Sequence, residues 1–106
     1  MNIFDKSVKI GNVSWNIEKF SHADTNEQQG GCTNVFYHTI YMREEGGMED
    51  IDTLIHETLH ACDAMMTIKL KEDQVYKLAN ALTFVLRDNP WLFTYVKQKI
   101  KEEYVR

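Results

Sequence analysis

Two cysteines, Cys32 and Cys62, are all that the 106 residues contain. They make no disulfide framework, and in a reducing compartment both are free thiols. No block of Lys or Arg stands out and the formal net charge is −4, so there is no electrostatic reason to expect nucleic acid. No apolar run approaches the roughly 20 residues of a membrane-spanning helix. The opening Met1-Asn2-Ile3-Phe4-Asp5-Lys6 lacks the basic-then-apolar order of a signal peptide. Together these absences point to a cytoplasmic protein. There is no internal repeat and no low-complexity tract. What is present, 43% hydrophobic and 26% charged residues, is ordinary for a soluble domain, and a chain of this length has room for one modest core.

The pattern changes character near Gly46-Gly47 and divides the single domain into a β region, 1–45, and a helical region, 48–106. Val8-Lys9-Ile10 and Val13-Ser14-Trp15-Asn16-Ile17 alternate apolar and polar residues around Gly11-Asn12, the signature of a hairpin. The polar stretch from Ser21 to Gly31 reads as a loop. Cys32 to Met42 reads as one further β segment, with Val35, Tyr37, Thr39 and Tyr41 on one face and Phe36, His38, Ile40 and Met42 on the other. A small antiparallel sheet of three or four strands is expected. Beyond Gly47 the period becomes helical: Ile51, Leu54, Ile55, Leu59, Cys62 and Met66 form one stripe. Val75, Leu78, Ala79, Leu82, Val85 and Leu86 form a second. Asn89-Pro90 restarts the chain, and Phe93, Val96 and Ile100 mark a third helix. The fold class is α+β, a small sheet followed by three helices.

The chemistry concentrates in His56-Glu57-Thr58-Leu59-His60. Two histidines four apart on a helix project from one face, about one turn from each other. Their neutral nitrogens can meet one tetrahedral ion at roughly 2.0–2.1 Å each. Glu57 sits about 100° round the helix from His56, close enough to act as general base toward a water at the ion without ligating it. An ordinary amphipathic helix can also carry His at i and i+4. Against that, the motif adjoins an apolar stripe, where unpaired polar groups are costly, and holds two of the four histidines in the chain.

A catalytic zinc needs a third protein ligand, and no histidine follows His60. That excludes families completed by a downstream His. The carboxylates available are Asp63, Glu72, Asp73, Asp88, Glu102 and Glu103. Glu72, three residues before Val75 and seven before Ala79, shares the inward face of the second helix and ranks first. Asp73 is turned about 100° away and ranks second. Asp63 lies seven residues, about 10 Å along the helix axis, beyond His56. It suits hydrogen bonding to the far nitrogen of His60 better than ligation. His38, Tyr37 and Tyr41 are weaker candidates for a strand lining the site, where a donor would steady an oxyanion; a packing role explains each as well.

The chain resembles the small metallopeptidase-like proteins of bacteriophages and prophages, which are similar to minimal gluzincins. The resemblance is carried by His56-Glu57-Thr58-Leu59-His60-Ala61, then Glu72-Asp73-Gln74-Val75, then Leu86-Arg87-Asp88-Asn89-Pro90. It implies a zincin-like fold, a zinc cofactor on His56, His60 and Glu72, and Glu57 as base. It also implies a peptide or protein substrate bound as an extended strand along an edge strand such as Thr39–Met42. Lys71 departs from the Ser or Asp that commonly opens the second helix, which leaves the aim of Glu72 open. Two other readings stay beside it. Peptide deformylases also use His-Glu-x-x-His, with a Cys as third ligand, and Gly31-Cys32 echoes that set. A metal-stabilised binding or regulatory module would keep the motif with little turnover.

Overall fold

A computed structural model describes residues 1–20 and 30–105. Four strands, β1 (Ser7–Ile10), β2 (Val13–Lys19), β3 (Gly31–Asn34) and β4 (Thr39–Met42), precede three helices, α1 (Met48–Met66), α2 (Glu72–Asp88) and α3 (Trp91–Val105). The α+β class and the order of sheet before helices are as expected. Residues 21–29, within the expected loop, lie outside the described residues. Among those described, no helix is long and apolar enough to cross a membrane.

β1 and β2 form the expected hairpin. Ile10 pairs with Val13 across a turn in which Gly11 takes a φ of 60°, a conformation that glycine adopts without steric cost. The strand order is β1-β2-β4-β3, and the sheet is mixed rather than antiparallel throughout, because β4 pairs with β2 in parallel. The single segment expected over Cys32 to Met42 breaks in the middle. The backbone N–H of Tyr37 donates to Asn34 Oδ1 at 3.0 Å, and His38 enters the left-handed region at φ 48°. The chain thereby turns back and β3 pairs antiparallel with β4. Val35, Phe36 and Tyr37 are turn residues exposed to solvent. This places Thr39–Met42 inside the sheet and makes β3 the edge strand, correcting the expectation that Thr39–Met42 is the edge.

Cross-strand partners share a face, so the register fixes which side chains meet α1. Ile17 pairs with Ile40, and Thr33 with Ile40 and Gly31 with Met42. Trp15, Ile17, Ile40 and Met42 are buried, and Trp15, Ile10 and Ile40 form a core with Ala61 of α1. Gly31 and Thr33 therefore lie on the helix-covered side of the edge strand.

The helical stripes are only half buried. On α2 the row Val75, Ala79 and Thr83 packs inward, while Leu78, Leu82 and Val85 of the expected stripe are exposed. A stripe spanning two rows of a helix has one row too many when only one neighbour, α1, covers it. On α1 the fully buried positions are Glu57 and Ala61, whereas Ile51 and Met66 are exposed. Phe93, Val96 and Ile100 of α3 are each about half exposed, so the third helix does not pack through them.

Candidate metal centre

Two rows along α1 and the first residue of α2 set out the site. Thr53, Glu57 and Ala61, spaced by four, face the sheet. His56 and His60, one position earlier in each turn, face the cleft between α1 and α2. Glu72, the first residue of α2, enters that cleft from the other side. The connection that aims it is short. α1 ends on Thr67 at φ 53° and the chain passes Lys69 at φ 66°, both left-handed and unfavourable for non-glycine residues. Asp63 holds this turn: its Oδ1 accepts from the backbone N–H of Lys69 at 2.6 Å and of Leu70 at 3.3 Å. The carboxylate suggested for His60 is thus spent on the connection and acts on the site through Glu72. In place of a Ser or Asp cap, Lys71 is tied by its own N–H, which donates to Gln74 Oε1 at 2.9 Å. The helix then starts at Glu72 and points that side chain at the histidines.

His56 Nε2 stands 2.8 Å from Glu72 Oε1 and His60 Nε2 stands 2.9 Å from Glu72 Oε2. The two Nε2 atoms are 3.2 Å apart. Ligand atoms about 2.0–2.1 Å from a tetrahedral ion are separated by roughly 3.3 Å; the two imidazole nitrogens lie close to that separation, and each oxygen of Glu72 faces one of them. The histidine side chains are 16% and 28% exposed and that of Glu72 is 71% exposed, so the movable member is the carboxylate on the solvent side. Two imidazoles and one carboxylate are a donor set that zinc accepts with a position left for water. Among the described residues this is the group able to hold an ion. Asp73, Asp63 and Cys32 are not in it. Asp88 pairs with Arg87 and Glu102 with Lys99 on the surface.

Glu57 lies behind the histidines, 6% exposed. Burial raises its pKa above the ordinary carboxylate value, opposed by a hydrogen bond from the Thr33 hydroxyl and by His56 and His60, and reinforced by Glu72. Strand β3 supplies both close neighbours of this side chain. Thr33 Oγ1 lies 2.9 Å from Glu57 Oε1, and Gly31 comes so near that a Cβ there would stand 2.8 Å from Glu57 Cγ. The sequence marks Gly31 only beside Cys32 in the deformylase-like set and does not mark Thr33. The signal that could have found Gly31 is a glycine pair leading into a β segment, where a backbone can approach a neighbour closely.

Cys32 falls between them in the pleat, with Tyr41 as its cross-strand partner. Burial and then the Glu57 charge raise its pKa. His38 lies tilted against Trp15 with ring centroids 5.0 Å apart, and Tyr41 stacks against Phe20 at 6.1 Å. Neither they nor Tyr37 are among the residues lining the cleft, which holds about 760 Å³ and is bounded by Gly31, Thr33, His56, Glu57, His60 and Glu72 with their neighbours. No protein-family model, curated protein or solved structure matches the chain.

Proposed function

We propose that this protein is a zinc-dependent hydrolase acting on peptide bonds, in the manner of the phage metallopeptidase-like proteins it resembles, in a bacterial or phage-infected cytoplasm. The observation that carries the reading is the convergence of His56 Nε2, His60 Nε2 and the two oxygens of Glu72, with neighbouring atoms within 3.2 Å, on a helix whose buried Glu57 stands outside that group. His56, His60 and Glu72 would hold the zinc, which supplies Lewis acidity toward a water and a substrate carbonyl. Glu57 accepts the proton of the attacking water and returns it to the leaving amine. Its raised pKa suits that exchange, since a base that must also act as an acid works best with a pKa near the working pH. The peptide preference is supported by β3, an edge strand bordering the cleft; among the described residues no further strand pairs with its outer side, where an extended chain can add.

The test compares zinc-loaded wild type with Glu57→Gln on a library of quenched fluorescent peptides. Wild type is expected to cleave a subset, and the variant to bind zinc equally while losing turnover. Equal cleavage by the two proteins refutes the mechanism. One observation favours a second reading: the ligands come from two helices, so an ion clamps α1 to α2, and ligation adds to stability. Zinc that raises the melting temperature without any peptide being cleaved would select this binding-module reading.

A further inference from the structure

We infer that Thr33 is a positioning residue for Glu57, fixing which carboxylate oxygen moves the proton; the inference rests on the hydrolase reading above. The Thr33 hydroxyl lies 2.9 Å from Glu57 Oε1 and 3.0 Å from the Glu57 backbone carbonyl. Its single proton is shared between two acceptors of one residue, so both the root and the tip of the side chain are tied to one point on β3. The carboxylate is thereby made asymmetric. Oε1 is held, and among the described residues nothing donates to Oε2, which rests against Gly31, 2.9 Å from where a Cβ would stand.

Oε2 is the oxygen left to take a proton, and Oε1 is the anchor. A hydroxyl suits this task better than the alternatives. Lys or Arg would bind the whole carboxylate and suppress its basicity. An apolar residue would leave a buried oxygen unpaired. The branched Cβ of threonine also restricts χ1, so the donor is held in place by its own strand. Both outer and inner partners of the base thus come from the strand that borders the cleft.

The experiment uses the zinc-loaded full chain with Thr33→Val, which keeps the shape and removes the donor, and Thr33→Ser, which keeps the donor. On a peptide cleaved by wild type, Thr33→Val is expected to lower kcat about 10- to 100-fold, the scale of a displacement near 1 Å at a reacting group. KM and zinc affinity should stay unchanged, and Thr33→Ser should recover most of the loss. Thr33→Ala replaces the valine variant if that protein does not fold. A wild-type kcat without the hydroxyl, or a loss that serine does not repair, overturns the inference. Crystal structures of zinc-loaded wild type and Thr33→Val decide the matter independently of turnover: a displaced Glu57 carboxylate supports the tether, and an unmoved one overturns it. Absence of hydrolysis by wild type, with Glu57 displaced in the variant, defeats the hydrolase reading and leaves the tether standing.

Discussion

Replacing Gly31 with alanine tests how closely β3 approaches the buried base. The added Cβ would stand 2.8 Å from Glu57 Cγ, 2.9 Å from Glu57 Oε2 and 3.0 Å from Thr53 Cγ2. Carbon atoms in comfortable contact are about 3.5–4.0 Å apart, so Glu57 or the strand must yield by roughly 0.7 Å. Glu57 has little freedom to do so, with Thr33 on one side and the sheet beneath. Overpacking of this kind costs about 1–3 kcal/mol. The backbone works in the other direction: Gly31 is not in the left-handed region, and a glycine in a strand gives up roughly 0.5–1 kcal/mol relative to alanine. The overlap is the larger effect, and a net destabilisation of about 1 kcal/mol or more is expected. A carboxylate displaced on the scale of 1 Å should cost about 100-fold in kcat. Zinc binding should hold, because His56 and His60 occupy a different row of α1. Thermal unfolding, chelator competition for zinc and initial rates on a cleaved peptide read the three quantities separately. A Gly31→Ala protein as stable and as fast as wild type would refute the close packing on which the site rests.

Glu72→Ala should weaken zinc binding by more than the 10- to 100-fold typical of losing an outer partner, while Asp73→Ala leaves it intact; chelator competition measures both. Asp63→Ala releases the two amides that hold the α1–α2 turn and should cost about 1.5–3 kcal/mol in denaturant unfolding. It should also weaken zinc binding, because Glu72 loses its aim, with Asp63→Asn restoring part of both. Because burial raises the pKa of Glu57, the folded metal-free protein binds that proton more tightly than the unfolded chain. Its contribution is therefore fully present below the ordinary carboxylate value and is lost as pH rises through the raised one. Metal-free Glu57→Gln should accordingly melt higher than wild type at neutral pH, with the gap closing toward acid, as followed by thermal unfolding in the presence of a chelator.

The β1–β2 hairpin was legible because alternation and a Gly-Asn turn sit next to each other in the chain. The break in the second β segment was not. Val35, Phe36 and Tyr37 are β-branched or aromatic, the residue types that strands favour, yet the turn is made by an Asn34 side chain accepting from Tyr37 and a left-handed His38, neither of which disturbs that pattern. The parallel pairing of β2 with β4 was equally hidden, since strand order follows from long-range contacts and not from local period. The rows on α2 were readable as apolar but not as inward or outward. That choice depends on how many neighbours cover the helix, and α1 covers one row.

The site divides along the same line. The meeting of His56, His60 and Glu72 was readable because a helix converts spacing into direction, so residues at i and i+4, or at the start of an inward row, meet in space by geometry alone. Gly31 and Thr33 lie 26 and 24 positions before Glu57, and they reach it only because β3 turns back on β4 and becomes an edge strand. Nothing local marks a threonine as the partner of a distant glutamate. The consequence concerns how such a site can be copied or lost. On the proposed hydrolase reading, the helical motif alone would place a base near a metal, while the strand would choose the oxygen that carries the proton. A chain that keeps His-Glu-x-x-His and loses the small residue and the hydroxyl on β3 should still bind zinc while its glutamate is left unaimed.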